Sequence, residues 1–384
     1  MSAPSATASL APAAHGRYEH IDALRALAVM LVVVAHAGLG HVVPGGSGVT
    51  IFFAISGFII THVLLVERER TGHFRVSDFY LRRLLKLAPP FLLVMALPTL
   101  VYSTWGPIDW GAFVSQVFFG FNWVYVQGLP QILPGSVVVW SLAIEEQFYI
   151  VFALVWLAAA RVRRRLALLT VLALATVVGT LVLRLVIVAG TAPALAHRRV
   201  YYGTDTRVDG IAYGILAAVV FAHLRHDQVS PRARAVIGST WVPVVSAALY
   251  LASLTLRDPW FRETFRYTVQ GAAAALVILY GLERQDGRFR HALGTLAGAR
   301  PVQVVGLASY SIYLVHRVAG HALRPLIAGW PLVPAFLLTT AVGVALGIAI
   351  WHLLERPVEA YKTALMDRRR LARTSTPPQP ASAA

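Results

Sequence analysis

The sequence predicts an all-α, polytopic integral membrane protein with about ten transmembrane helices. Of its 384 residues, 57% are hydrophobic and only 14% are charged, whereas soluble domains carry about 25% charged residues. The mean hydropathy is +0.64. Long apolar runs recur along the chain, and about 20 such residues are enough for a helix to cross a bilayer. We therefore expect a multi-pass protein of the cell membrane, with the lipid bilayer as its surroundings.

Ten apolar runs are candidate spans, and the fourth, sixth and ninth of them contain charged residues. In chain order they lie at about 21–43, 48–66, 84–103, 137–159, 166–189, 207–223, 238–256, 266–282, 302–320 and 332–354. No internal repeat is visible between the two halves of the chain. Inverted-repeat transporters usually show such symmetry, so its absence disfavours a transporter.

The 34 Lys and Arg residues are distributed unevenly between the spans. If the N-terminus is cytoplasmic, most of them fall in cytoplasmic loops and tails. The outer loops then hold only Arg198, Arg199, Arg257, Arg262, Arg266 and Arg324. Because cytoplasmic loops carry an excess of Lys and Arg, this bias predicts that both termini are cytoplasmic. It also explains the net charge of +16 without a nucleic-acid partner.

Composition divides the chain into three regions. Residues 1–20 are small and polar and predict a disordered cytoplasmic tail, residues 21–361 form the membrane domain, and residues 362–384 are basic and then rich in Pro, Ser and Ala, which predicts a second cytoplasmic tail. The chain has no cysteine, which excludes a thiol nucleophile, a disulfide framework and a Cys metal site. The 13 histidines show no metal-ligand spacing, so no metal is expected.

The first span carries two ionisable side chains, Arg25 and His36. An ionisable group at membrane depth costs at least ~2.5–3.5 kcal/mol on insertion scales, so it is rare unless it faces a protein interior or a wet cavity. At about 100° per residue, this spacing places both side chains on one helix face, about 16 Å apart along the axis. The shared face predicts a functional site.

Seven short sequence motifs follow one another along the chain, between about residue 20 and residue 360. Besides the Arg25 to His36 spacing, they are FFAISGFIIT at 52–61, RRLLKLAPP at 82–90, WSLAIEEQFY at 140–149, TDTRVDGIAYGILAA at 204–218, SYSIYLVH at 309–316 and ERP at 355–357. This ordered set resembles the acyltransferase 3 family of integral membrane acyltransferases. Members with a fused extracellular esterase-like domain have a long C-terminal extension, and this chain resembles the stand-alone type.

The resemblance implies an enzyme that moves a short acyl group, acetyl or similar, from acyl-CoA to a hydroxyl of a sugar, glycan, glycolipid or glycosylated natural product such as a macrolide. Acyl-CoA would be a co-substrate, with no permanently bound cofactor. Acyl transfer needs a base for the hydroxyl, a site for the donor's phosphates and stabilisation of the oxyanion. His36 is the candidate base, since its unperturbed pKa of about 6.5 suits proton removal near neutral pH. It could instead carry the acyl group itself.

The resemblance assigns further roles. Arg25 is expected to be essential for use of the acyl donor, although it could also be a snorkelling residue that marks topology. Glu145 is expected either to orient His36 or to bind the acceptor, and otherwise to pair with a buried Arg. The candidate donor-binding residues are Arg82, Arg83 and Lys86, which the positive-inside rule alone would also explain. The candidate acceptor-binding residues are Asn122, Trp140, Asp205, Arg207, Asp209 and His316.

Several of these positions have a purely structural alternative. Asp205, Arg207 and Asp209 could form a self-neutralising cluster. Asn122 lies in an aromatic segment, 102–136, that is either an interfacial belt or a lid over the acceptor. Gly57, in the Ser-Gly-Phe stretch, is expected to serve close helix packing.

The sequence also departs from the family pattern at two places. The family often has two Arg residues three apart at the start of the third span, where this chain has Arg83 and Lys86. The ninth-span stretch often continues as Trp-His-x-Pro, whereas His316 here is flanked by Val315, Arg317 and Val318. Two other classes of function remain open from the sequence: a multi-span transporter or exporter of a small molecule or lipid-linked glycan, and a non-catalytic membrane scaffold.

Overall fold

The structure, a computed structural model, describes residues 18–72, 74–159, 162–283 and 287–374, and these residues form helices and connecting turns without strands. The helices of the first half are α1 (Glu19–Val34), α2 (Gly46–Thr71), α3 (Val76–Phe91), α4 (Leu97–Tyr102), α5 (Trp110–Val117), α6 (Phe121–Gln127), α7 (Val139–Ala159), α8 (Arg165–Gly190) and α9 (Pro193–Tyr202). Those of the second half are α10 (Asp209–Arg225), α11 (Pro231–Gly238), α12 (Trp241–Thr255), α13 (Pro259–Glu263), α14 (Phe265–Leu282), α15 (Arg288–Gly298), α16 (Arg300–Leu307), α17 (Ser309–Leu323), α18 (Leu332–Ile350) and α19 (Arg356–Thr374).

The all-α, multi-pass prediction is confirmed, but the count of ten spans is not. Among the described helices, 7 are long and apolar enough to cross a bilayer, or 8 if α11 and α12, bent by 55°, count as one span. The predicted sixth and ninth spans contain α10 and α17, which have only 17 and 15 residues. Both helices are shorter than the roughly 20 residues that a bilayer-spanning helix needs, whereas a count of apolar runs takes no account of where each helix begins and ends. The orientation of the termini stays a prediction.

The two short helices lie inside the protein. Helix α10 packs against α2, α8 and α14, and α17 packs against α18 and contacts α1. The packing of α2 on α10 depends on two glycines: a Cβ added at Gly57 would lie 2.0 Å from the carbonyl oxygen of Ile211, and one at Gly214 would lie 2.1 Å from that of Ala54. Small residues let membrane helices approach closely, so the packing role expected for Gly57 agrees with its position.

Three π-helical turns interrupt the long helices of the described chain. They are Ala35–Leu39, Leu92–Ala96 and Trp351–Glu355. Single π turns inside α-helices occur mostly at functional sites. The first turn contains His36, and the third ends at Glu355, whose carboxylate accepts a hydrogen bond from Ser311 in α17. Two of the sequence stretches that resemble the family are therefore in contact.

The predicted tails fall mostly at the limits of the structure. Residues 1–17 and 375–384 lie outside the described residues. The first helix begins at Glu19, two residues before the predicted domain start. Helix α19 continues to Thr374, so the basic part of the predicted C-terminal tail is helical. It contacts α3 through an ion pair of 3.1 Å between Arg369 and Asp78.

Candidate active site

Two histidines from different helices meet at the end of α1. Nδ1 of His36, in the π turn after α1, lies 3.0 Å from Nε2 of His316 in α17. The two ring centroids are 5.1 Å apart. The His316 side chain is buried, at 3% exposure, whereas the His36 side chain is exposed. The pair therefore consists of an inner histidine fixed by the protein and an outer one that is accessible.

The hydrogen-bond partners assign the tautomers of the neutral pair. Nδ1 of His316 lies 2.8 Å from the carbonyl oxygen of Tyr313 and 3.1 Å from that of Ile312, and a carbonyl can only accept. The proton of His316 is therefore on Nδ1, and its Nε2 accepts from Nδ1–H of His36. Nε2 of His36 therefore carries no proton, and its lone pair can accept a hydrogen bond. A base held by a second group in this way is the arrangement that acyl transfer uses.

Arg25 and His36 face the same neighbouring helix, as their spacing predicts. Nε of Arg25 donates to Oγ of Ser309 at 3.2 Å, and Ser309 lies on α17 like His316. Helices α1 and α17 consequently run parallel, with Arg25 at their starts and the histidine pair further along. The Arg25 guanidinium also lies 4.0 Å from the carboxylate of Asp22.

A cavity with a volume of about 130 Å³ opens beside Arg25. Its lining includes Arg25, Lys86, Glu145, Ser141 and Tyr313. The Tyr313 hydroxyl lies 2.6 Å from Oγ of Ser141 and donates to a backbone carbonyl at 3.0 Å. The ring centroid of Tyr313 is 5.9 Å from that of His316. The cavity thus extends from the cationic residues to a tyrosine that touches the histidine pair.

Glu145 and Glu146 have different surroundings, although they are adjacent in the chain. Both carboxylate oxygens of Glu146 accept from Nε of Arg83, at 3.1 and 3.3 Å, and the Arg83 guanidinium stacks 3.6 Å from the ring centroid of Tyr149. The structural pair with an arginine, the alternative considered for Glu145, is made by Glu146. Glu145 lines the cavity instead. Among the described residues, the side chain within hydrogen-bond distance of Nδ1 of His36 is that of His316.

The three candidate donor-binding residues are likewise separated. Arg82 pairs with Glu67 at 3.2 Å, and Arg83 pairs with Glu146. Lys86 lines the cavity together with Arg25. Of the three, Lys86 alone presents its charge to the cavity beside Arg25, and the charges of Arg82 and Arg83 are neutralised at their positions.

Asn122 connects three segments rather than facing the cavity. Its Nδ2 donates to the carbonyl of Tyr202 at 3.1 Å and to the hydroxyl of Thr204 at 2.9 Å. Its Oδ1 accepts from Nε2 of Gln147 at 2.9 Å. The side chain is 0% exposed. These bonds place it as a brace between α6, α7 and the turn after α9.

Arg207 and Trp140 belong to a buried aromatic cluster. The Arg207 guanidinium lies 3.8 Å from the ring centroid of Tyr267 and 5.4 Å from that of Trp140. It donates to the carbonyls of Tyr201 at 3.2 Å and Gly46 at 3.3 Å. Arg207 therefore fixes the start of α2, in a cage of aromatic rings. Burial also raises the pKa of the neighbouring Tyr202 phenol, which stays protonated.

The acids on either side of Arg207 pair with other arginines, so the expected self-neutralising cluster is not formed. Asp209 accepts from Nη2 of Arg184 at 2.8 Å, and both side chains are almost fully buried. Asp205 binds Arg199 through two bonds of 2.7 and 2.6 Å. The partners lie in α8 and α9, and spacing within 204–218 could not identify them.

Three residues near His36 were missed by the sequence-based reasoning. Arg317 places Nη1 3.3 Å from Nε2 of His36. A Cβ added at Gly45 would lie 3.8 Å from the same nitrogen, so this glycine leaves room beside it. Tyr313 lies between cavity and histidines. The His316–Arg317 dipeptide inside an apolar run was the one available signal, since it places a second ionisable group at membrane depth.

No group of His, Asp or Glu residues with the geometry of a metal site occurs in the described part of the chain.

Comparisons with known proteins agree with this arrangement. Residues 18–352 match the family described as an acyltransferase domain. The peptidoglycan O-acetyltransferase OatA of Listeria monocytogenes is 30% identical over 315 residues, which cover 77% of this chain and 48% of that protein. The O-acetyltransferase OatA of Staphylococcus aureus is 28% identical over 311 residues, covering 77% and 49%. No solved structure matches.

This chain spans about half the length of the curated relatives that it matches. The match nevertheless extends from the start of α1 to the third π turn and includes both histidines, Arg25 and every residue of the cavity. The chain therefore belongs to the acyltransferase 3 family, and its long apolar helices are those of a multi-pass membrane protein.

Proposed function

We propose that this enzyme transfers an acetyl or similarly short acyl group from acyl-CoA to a hydroxyl of a glycan or of a sugar-bearing natural product. The observation that carries this proposal is the histidine pair: His316 accepts from Nδ1–H of His36, which leaves Nε2 of His36 unprotonated on an exposed side chain. The O-acetyltransferase names of the relatives support a carbohydrate hydroxyl as acceptor.

The donor is proposed to enter from the side of Arg25. Its phosphates would meet Arg25 and Lys86, the two cations that line the cavity. Lys is a point charge that binds phosphate without a bidentate fork. The apolar side of the cavity, which includes Phe52 and Leu142, suits the acyl-bearing arm of the donor. This side is cytoplasmic in the orientation predicted from the Arg and Lys distribution.

In the direct route, Nε2 of His36 removes the proton of the acceptor hydroxyl while the oxygen attacks the thioester carbonyl. The tetrahedral intermediate then collapses, the carbon–sulfur bond breaks, and the thiolate takes the proton back from His36. In the two-step route, Nε2 attacks the thioester first, the carbon–sulfur bond breaks, and the CoA thiolate leaves. The acceptor hydroxyl then attacks the acyl group on Nε2, loses its proton to the released thiolate or to solvent, and frees the imidazole. His316 serves either route, because its acceptor nitrogen stabilises the positive imidazole that forms on His36.

Because the cavity lies beside Arg25 and the exposed face of His36 lies further along α1, donor and acceptor are proposed to approach from opposite sides. The acyl group would then cross within the protein. The transporter alternative loses its support, since the chain belongs to an enzyme family.

The test is transfer of radiolabelled acetyl from acetyl-CoA by the purified, detergent-solubilised protein. The acceptors to compare are a peptidoglycan fragment, a simple glycan and a macrolide bearing a sugar. We expect label on a carbohydrate hydroxyl with the wild type and none with His36→Ala. His291→Ala is the matched control, because His291 is exposed and lies on α15.

Folding of each variant is checked by its elution profile and melting temperature. Transfer by a folded His36→Ala protein at the wild-type rate would refute the proposed role of His36. The crossing of the acyl group is tested in sealed vesicles, with the acceptor placed either on the same side of the membrane as acetyl-CoA or on the opposite side. If the acceptor is modified only on the acetyl-CoA side, the acyl group does not cross.

A further inference from the structure

Arg317 is the cation nearest to the reactive nitrogen. Its Nη1 lies 3.3 Å from Nε2 of His36, and its side chain is half-buried. Within the described ranges, the guanidinium has no ion pair with a carboxylate, and its hydrogen bond is to His36. An ionisable side chain inside an apolar helical run is costly at membrane depth, and this one lies in α17 beside the candidate base.

The backbone that carries this guanidinium is held on two sides. The carbonyl of Arg317 accepts from Nδ1 of His321 at 2.8 Å. The turn at Gly135 packs directly against it: a Cβ there would lie 2.6 Å from the carbonyl carbon of Arg317 and 2.6 Å from the backbone nitrogen of Val318. Gly135 has φ of 95°, a conformation that glycine adopts without penalty. Arg317 is therefore anchored where its donor faces His36.

We propose that Arg317 is a catalytic residue that stabilises the oxyanion of the tetrahedral intermediate. The proposal rests on the proposed acyl transfer at His36. When the acceptor hydroxyl binds Nε2, it takes the position that Nη1–H occupies in the free enzyme. The displaced N–H then lies next to the carbonyl oxygen of the donor thioester.

The electrons balance in this step. The hydroxyl oxygen forms a bond to the carbonyl carbon and gives its proton to Nε2 of His36, and the carbonyl electron pair moves onto oxygen. Nη1–H of Arg317 donates to that oxygen while the charge is present. When the C=O bond re-forms, the thiolate leaves and is protonated by His36. An oxyanion donor must lie about 3 Å from where the charge develops, and Nη1 of Arg317 is already 3.3 Å from the nitrogen that would hold the attacking hydroxyl.

The experiment compares Arg317→Gln and Arg317→Lys with wild type in steady-state transfer from acetyl-CoA. Removal of one oxyanion donor costs about 10²–10³ in kcat. We expect Arg317→Gln to lose that factor with the KM of acetyl-CoA unchanged, and Arg317→Lys to retain part of the rate. Arg324→Gln is the matched control, because Arg324 is exposed at the end of the same helix, and it should keep the wild-type rate.

Chemical rescue gives a readout that a merely structural role would not produce. Guanidinium ion added to Arg317→Ala should restore transfer in a saturable manner, and it should not restore His36→Ala. If Arg317→Gln instead raises the KM of the acceptor and keeps kcat, Arg317 binds an anionic group of the acceptor and the proposal is wrong. A wild-type rate in folded Arg317→Gln overturns it as well, while His36→Ala stays inactive. Failure of the wild type itself to use acetyl-CoA refutes the proposed function instead.

Discussion

Nδ1 of His36 lies 3.0 Å from Nε2 of His316, although the two residues are 280 positions apart in the chain. The contact determines which nitrogen of His36 is free to act as a base. It also links the first membrane helix to α17, a helix too short to be identified as a span by its length.

This contact predicts that His316 contributes to catalysis by accepting a hydrogen bond from Nδ1–H of His36. His316→Leu leaves Nδ1–H of His36 without a partner, and kcat should fall by about 10²-fold or more, in the range of general-base contributions. His316→Gln can still present a carbonyl oxygen near the position of Nε2 and should retain more activity. Steady-state transfer rates of the two variants check this, and equal loss in both would contradict the orienting role.

Lys86 and Arg82, at the start of the third predicted span, should contribute differently to binding of the acyl donor. Lys86→Gln should raise the KM of acetyl-CoA about tenfold, because a hydrogen bond to a charged group contributes about 1.5–3 kcal/mol. Arg82→Gln should change it little, since Arg82 is occupied by Glu67 in a partly exposed ion pair, and such pairs contribute about 0–1 kcal/mol. An equal effect of both substitutions would mean that the basic segment binds phosphate as a whole.

Substitutions at the two adjacent glutamates should have different effects, one on stability and the other on activity. Glu146→Gln leaves the half-buried Arg83 charge without its ion-pair partner, and the loss of a partner from a buried pair costs up to about 3–5 kcal/mol. The melting temperature in detergent should fall clearly. Glu145→Gln removes a charge from the cavity wall and should alter transfer kinetics with little change in melting temperature. The reverse pattern would show that Glu145 is the structural acid.

Glycine substitutions test the close contact of α2 with α10. Gly57→Ala forces a Cβ into the backbone of α10 at Ile211, and overpacking of this kind costs about 1–3 kcal/mol or more. Gly179→Ala is the matched control in α8, because nothing lies within 4 Å of its added Cβ. It should be neutral or stabilising by up to about 1 kcal/mol. Thermal unfolding of the two variants measures the difference, and similar melting temperatures would contradict the packing described here.

A further substitution probes the buried pair that replaces the expected charge cluster. Asp209→Asn leaves Arg184 with its full charge in a helix that is otherwise apolar, and both side chains are almost fully buried. A loss of about 3–5 kcal/mol is expected, seen as a lower melting temperature or poor insertion. Asp205→Asn is the control, because Asp205 is 44% exposed. Comparable destabilisation by both would indicate that the three charges act as one unit.

The sequence by itself determined the class of the protein and the first helix of its site. Hydropathy and charge are properties of local segments, so the membrane class follows from them. The helical period alone places Arg25 and His36 on one face, and both contact α17. The ordered stretches indicate the family that the comparison confirms.

Tertiary structure decided the partners. No local pattern shows that His316 and Arg317 are the neighbours of His36. Nor does any local pattern show that Arg83 pairs with Glu146 rather than with Glu145. Each contact joins residues that are 63 to 281 positions apart. The burial of α10 and α17 follows from tertiary structure in the same way, because only their packing against other helices shows that their apolar residues are buried in protein. Local periodicity predicts which face of a helix must contact other protein residues. Only the packing of all the helices determines which residues those are.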